Sequence, residues 1–243
     1  MKKIVTILLL SFSFIANCQT WFDLGIKAGV GGGFLLNNTV NSDSRFEILP
    51  NKNHFFGGKV GVNFGESFGI TVDADFGKYA YGFNQAKVAG KDQSLTYKYK
   101  ISYNAFNIMP ALRYTKESSY VEFGPQFSFV KNQLIEDEVK TSTTSISEEA
   151  INSKLTGLVF GFGGHMIGNE TISLMMGLRF NYILSNLTSD MYEATNFPFT
   201  NYNDITSPSK SSPLNVQMVF ELNYSLGYFV RASCGRRTAF LTF

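Results

Sequence analysis

Residues 215–229 read Asn-Val-Gln-Met-Val-Phe-Glu-Leu-Asn-Tyr-Ser-Leu-Gly-Tyr-Phe. Val216, Met218, Phe220, Leu222, Tyr224, Leu226 and Tyr228 share one parity, while Asn215, Gln217, Glu221, Asn223, Ser225 and Gly227 share the other, with Val219 the single exception. A period of two is the signature of a strand with two unlike faces. The fold turns on which of those faces meets the interior.

Seven more segments carry the same alternation, at about 21–33, 54–65, 68–78, 102–115, 119–130, 155–167 and 171–185, with 214–229 as the eighth. Gly65-Glu66-Ser67, Lys116-Glu117-Ser118 and Gly168-Asn169-Glu170 join them pairwise as tight hairpin turns. The other connections, at about 34–53, 79–101, 131–154 and 186–213, are long and polar. Strict alternation of short and long connections gives an up-and-down structure whose two ends face different surroundings, as in outer-membrane barrels. The segment lengths suit a tilted membrane strand, which needs about 9–11 residues within hydrocarbon.

The polar parity is built mainly from small residues. It holds Gly25, Gly29 and Gly31 in the first segment, Gly57 and Gly61 in the second, Gly124 in the fifth, Gly161 and Gly163 in the sixth, and Gly177 in the seventh. Small side chains suit the narrow lumen of an eight-stranded barrel, whereas the Phe, Leu and Met of the other parity would overfill it. Only 16% of the residues are charged, below the quarter or so of a soluble domain. The apolar face is therefore expected outside, against lipid. The charges on the inner parity form a nearly balanced set, Lys27, Lys59, Arg113 and Arg179 against Asp23, Asp73, Asp75, Glu122 and Glu221. Their expected role is a salt-bridged plug that rigidifies the wall, because unpaired buried charge is costly. Trp21, Phe64, Phe68, Tyr114, Tyr120 and Tyr224 or Tyr228 are expected in one aromatic girdle. Phe55, Phe56, Tyr79, Tyr81, Tyr103, Phe127, Phe129 and Tyr182 are expected in the other.

The N-terminus reads as an export signal over residues 1–18, leaving 19–243 as one barrel domain. Lys2 and Lys3 precede an apolar run, Ile4 to Ala16, that is too short for a membrane-spanning helix. Two processing modes are open: lipidation at Cys18, which Asn17 suits poorly, or cleavage before Gln19. Removal of the signal takes two lysines from the 21 basic residues and none of the 19 acidic ones, so a formal charge of +2 falls to zero. No basic arm remains to suggest nucleic acid.

With the signal ending at Gln19, the first strand LGIKAGVGGGF and the strand endings PALRYT, GLRFNY and LNYSLGYF, the chain resembles the small PorT-like outer-membrane barrels of Bacteroidota. The resemblance covers residue 19 to about 229. It implies an all-β, eight-stranded antiparallel up-and-down transmembrane β-barrel of the OmpA type, in the cell outer membrane. Both termini would be periplasmic and the long loops extracellular. Some members are implicated in secretion across that membrane. Phe243 fits the aromatic end used in membrane assembly, while the tail VRASCGRRTAFLTF departs from the pattern. The partners so implied are outer-membrane lipid and lipopolysaccharide, the barrel assembly machinery and secretion components.

Chemistry is sparse. The two histidines, His54 and His165, show no Ser-His-Asp spacing and read as interfacial or lumen residues. Glu136-Asp137-Glu138, with Glu148 and Glu149, reads as a solvated acidic loop without spaced cation ligands. Gly31-Gly32-Gly33 lacks the Lys-Ser/Thr pair and helix of a phosphate loop. Neither a cofactor nor a metal is expected. The reading is a non-enzymatic barrel whose loops support surface contact or secretion. A surface hydrolase working through His54, Asp73 and Glu122 is one alternative, and a lipocalin-like carrier, which would need an apolar lumen, is another.

Overall fold

In the computed structural model the described residues are 20–38, 41, 46–65, 67–85, 97–139, 142–146, 151–169, 171–189, 210–233 and 236–238. The expected signal, Glu148 and Glu149, residues 190–209 and the last five residues lie outside them. Eight long strands form the wall: β1 (Thr20–Asn37), β2 (Phe46–Phe64), β3 (Phe68–Gln85), β4 (Tyr97–Lys116), β5 (Ser119–Val139), β7 (Lys154–Gly168), β8 (Ile172–Ile183) and β9 (Ser211–Ser233). Each pairs antiparallel with the next, and β9 pairs back on β1 from Thr20↔Val230 to Asn37↔Ser211, which closes the ring. Two short strands lie off it. β6 (Ser142–Ile146) folds back on the end of β5, and β10 (Arg236–Thr238) folds back on the end of β9. The tail thus extends the last strand to Ser233 and returns along it.

The apolar parity faces outward. Thirty large apolar or aromatic side chains among the described residues are exposed, Phe76 at 67% and Leu112 at 66% of full accessibility, while Lys27 and Arg179 inside are each 2% exposed. A patch of that extent does not persist in water, so the solvent of this wall is hydrocarbon. The closed ring leaves no strand edge unpaired within it. On the outer face Phe56, Phe76, Phe106 and Phe129 fall in one cross-strand row. The rings of Phe76 and Phe106 lie 4.7 Å apart, and those of Phe106 and Phe129 6.5 Å.

Inside, large residues stand opposite glycines. Asp23 pairs with Gly61, Lys27 with Gly57, Arg113 with Gly69, and Glu122 with Gly161. A Cβ on Gly61 would lie only 1.8 Å from Asp23 Oδ1, and one on Gly161 2.8 Å from Glu122 Cγ. The small parity is therefore the space that the charged side chains occupy.

Two sequence expectations need correction. The strands run well into the segments expected to be loops: β1 to 37, β2 from 46, β3 to 85, β4 from 97 and β5 to 139. Glu136-Asp137-Glu138 thus lies in a strand rather than a loop. Five girdle aromatics, Phe55, Tyr79, Tyr81, Tyr103 and Tyr120, are buried in the lumen instead of facing lipid. Their parity says why, since Tyr79 and Tyr81 continue the side of Asp73 and Asp75, Phe55 that of Lys59, and Tyr120 that of Glu122. Phe56, Phe68, Tyr114, Phe127, Phe129, Tyr182 and Tyr224 are outward, as expected.

Candidate functional site

The lumen is stacked in three layers, described here from the short-turn end. At that end a vestibule of about 190 Å³ opens between strands, lined among others by Asp23, Arg113, His165, Met175 and Asn223. Beyond it, all nine charged residues singled out in the sequence converge in one network. Glu221, on β9, is its hub. It receives two parallel hydrogen bonds from Arg113 (Nη1 to Oε1 and Nη2 to Oε2, both 2.8 Å), one from Lys59 (2.6 Å) and one from the Asn223 amide (2.6 Å), and Lys27 Nζ stands 3.1 Å away. Paired N–H donors from a guanidinium fix geometry as well as charge.

From this hub the network spreads to both sides. Arg113 also donates to Glu122 at 2.6 Å, and Arg179 donates to Glu122 at 2.9 Å and to Asp73. Lys27 reaches Asp73 at 2.5 Å, and Lys59 donates to Asp23 at 2.9 Å. Asp75 lies at the fringe, 3.8 Å from Arg179, and accepts a hydrogen bond from the Asn107 amide at 2.7 Å. The Arg113 guanidinium sits 4.4 Å over the Tyr120 ring and that of Arg179 5.5 Å from the Phe55 ring. Two of the supposed girdle aromatics are thus platforms for cations.

Four cations against five carboxylates leave one formal negative charge. The most accessible carboxylate is Asp23, its side chain 13% exposed beside the vestibule. Every other member is at most 4% exposed. Removing one member from such a group disturbs the pairing of several buried charges at once.

The middle layer is neutral and polar, and its tyrosines are ones the aromatic pattern assigns to the lipid face. Asn53 donates to Asn215 at 2.6 Å, and its own carbonyl accepts the Ala80 backbone N–H at 2.8 Å. That N–H lies beside the bulge between Pro50 and His54 in β2. The Tyr81 hydroxyl donates to Asn215 at 3.0 Å and stands 3.1 Å from the Tyr103 hydroxyl, while Asn107 donates to the Tyr79 hydroxyl at 2.7 Å. Continuing the inner parity past Asp75 was the signal that would have found the tyrosines.

Toward the long-loop end the lumen turns apolar, which corrects the expectation of a polar interior throughout. Leu35, Phe46, Phe83, Ile101, Leu155, Ile183 and Leu187 pack with the faces of the three tyrosines. Two irregular segments are folded over to complete this cap. Gln133, at a bulge where Asn132 takes φ 49°, bonds the Ile151 backbone N–H at 2.9 Å and carbonyl at 2.8 Å. The Asn152 amide donates to the Asn186 and Thr188 carbonyls at 3.0 and 2.8 Å, which fixes Leu187 in place, fully buried.

His54 points outward through the wall, whereas Asp73 and Glu122 point inward, so these three do not form a cluster. His165 lies at the vestibule. Among the described residues no group of histidine, cysteine and carboxylate side chains has metal-binding geometry.

No curated protein matches the sequence. Solved structures with similarity include Neisserial surface protein A, at 11% identity over 82% of this chain and 96% of that one, with a TM-score of 0.39. They also include Ail, the attachment invasion locus protein of Yersinia pestis, at 10% identity over 84% and 99% with a TM-score of 0.38. OprG from Pseudomonas aeruginosa follows, at 11% identity over 85% and 95% with a TM-score of 0.36. A sequence-family profile matches residues 17–189, most of the described wall, and with it the closed ring and lipid-facing surface acquire a family: the chain belongs to the outer membrane protein beta-barrel domain family.

Proposed function

We propose that this barrel is a non-enzymatic, PorT-like outer-membrane scaffold whose extramembrane segments support secretion or surface contact. One observation carries the reading: charges, amides and an apolar cap fill the lumen in succession, so the wall is a stiff mount rather than a conduit or a reaction vessel. Chemistry or cargo passage inside would need a cavity beside reactive groups, and the vestibule stops at paired side chains. Function then rests on what the mount holds up. In this orientation the short turns and both termini are periplasmic and the long connections face outward. The partners are lipid and lipopolysaccharide at the wall, the assembly machinery during insertion, and secretion components at the rim. The structural role of the nine charged residues follows from the same reading.

Deleting the gene and comparing the secreted proteome with that of the parent strain tests the proposal. Cargo stranded in the periplasm, restored by the wild-type barrel but not by one lacking residues 190–209, is the expected result. An unchanged secreted proteome together with unchanged surface adhesion overturns it.

A further inference from the structure

Two soft donors meet at the vestibule of the short-turn end. His165 on β7 and Met175 on β8 are directly paired across the strands, and both line the vestibule. Direct partners in an antiparallel pair stand on the same face of the sheet with their Cβ atoms about 4.5–5.5 Å apart. An imidazole and a thioether so placed can reach one ion between them. The register slips just after His165, where Met166 is the extra residue of β7, and bulges of this kind at barrel rims re-aim a neighbouring side chain. His165 is exposed at the opening, while Met175, 3% exposed, lies at the floor. Met175 is the one sulfur-bearing residue among those that line the vestibule. Its Sδ accepts a hydrogen bond from the Asn223 amide at 2.9 Å, and the same amide nitrogen donates to Glu221 at 2.6 Å.

The charge around this pair points the same way. Met175 is flanked on its other side by Glu221, its partner in β9. The network centred on Glu221 sets Lys27, Lys59, Arg113 and Arg179 against one carboxylate more, so a bound monovalent cation brings its formal charge to zero. A divalent ion fits less well on two counts. It overshoots that balance, and among the described residues no three imidazole, thiol or carboxylate groups gather to hold one. Thioether sulfur selects soft ions, Cu(I) foremost, and imidazole accepts the same metal. A closed-shell monovalent ion such as Cu(I) or Ag(I) needs no more than two such ligands. We propose that His165 and Met175 form a binding site for one soft monovalent metal ion, of the Cu(I) and Ag(I) class, at the short-turn vestibule. Binding changes no oxidation state: the imidazole nitrogen and the thioether sulfur each donate a lone pair to the ion. The site rests on the vestibule alone and goes beyond the scaffold reading, so either one can fail without the other.

The test uses the full chain from Gln19, refolded in a non-ionic detergent, with the heat-dependent gel shift as the criterion of folding. Every sample carries Cys234→Ser, because a thiol takes up the same ions. Silver nitrate is titrated by calorimetry in chloride-free buffer, and one Ag(I) per barrel is expected. Met175→Leu, which keeps the side-chain volume, and His165→Asn, at the exposed edge, are each expected to weaken that binding by about tenfold or more. Met109→Leu, a buried methionine outside the vestibule lining, is expected to leave it unchanged. With Cu(I), kept reduced by ascorbate, X-ray absorption is expected to show one sulfur and one imidazole nitrogen bound to the metal. Failure of the parent chain to bind Ag(I) stoichiometrically, undiminished affinity in both site variants, or a Cu(I) spectrum without a sulfur neighbour overturns the site. Should Met175→Leu fail to fold, His165→Asn decides: weakened binding supports the site, and unchanged binding overturns it.

Discussion

The interior near Glu221 and the interior near Leu187 fill the same narrow tube with opposite chemistry. At the first, nine charged groups converge and each glycine opposite them makes room for a guanidinium, an ammonium or a carboxylate. At the second, tyrosine faces and aliphatic chains from the strands and two folded-over segments close the tube without a single ion pair among the described side chains. Amides and hydroxyls lie between, so neither region forces a bare polarity step on the other. The charged region lies at membrane depth, where only protein can satisfy it; the apolar cap lies toward the mouth, where it excludes water from the network below. The lumen uses both: one set of groups locks the wall, and the other closes it to water from the mouth, leaving only the vestibule beside Asp23.

Removal of the hub carries the largest expected effect. Glu221→Leu takes the shared carboxylate from Lys27, Lys59 and Arg113 and leaves each with one close partner, Asp73, Asp23 and Glu122 respectively, and a loss of about 3–5 kcal/mol is expected in urea unfolding of the detergent-refolded barrel. A loss under 1 kcal/mol would mean that the network is decoration. Leu187→Ala in the cap is expected to cost about 2–3 kcal/mol through the cavity it leaves. Combined with Glu221→Leu, its effect should add to within about 0.5 kcal/mol, because the two sites share no partner; strong coupling in the double-mutant cycle would merge the two regions into one unit. Tyr81→Phe removes the hydroxyl that links Asn215 to Tyr103 between them, and about 1 kcal/mol should disappear from the same unfolding curve. The smallest effect has the opposite sign. Glu117, at the β4–β5 turn, takes φ 54°, and Glu117→Gly should raise stability by about 0.5–1 kcal/mol while leaving both interior regions as they were.

The charged half was legible because its strands keep strict alternation and its inner parity is small or ionic, so Lys27, Asp73 and Arg179 declare their side without a structure. The upper half was not, for two physical reasons. Its inner residues are Tyr79, Tyr81, Phe83 and Ile101, which look like lipid-facing residues once the rule that inside means polar is applied. The bulges at Pro50–His54 and at Asn132–Gln133 also reset the parity of β2 and β5 at that height, so Phe46 and Asn53 both point inward although one number is even and the other odd. Counting parity upward from the charges would have placed the tyrosines correctly; nothing in the sequence marks where the bulges fall. The contacts of Asn152 and Gln133 with irregular backbone were equally out of reach, because they depend on which loops fold inward.

The seam between β1 and β9 carries a consequence for how the molecule is made. Thr20 to Asn37 must wait for Ser211 to Val230, so the joint that closes the ring unites the two most distant parts of the described chain. Until then the first strand presents bare hydrogen-bonding groups and a greasy outer surface to whatever is near, which is the condition under which strands find the wrong neighbour. Production of this protein is therefore a problem of timing: the early strands have to stay clear of wrong neighbours for the whole time the late ones take to arrive.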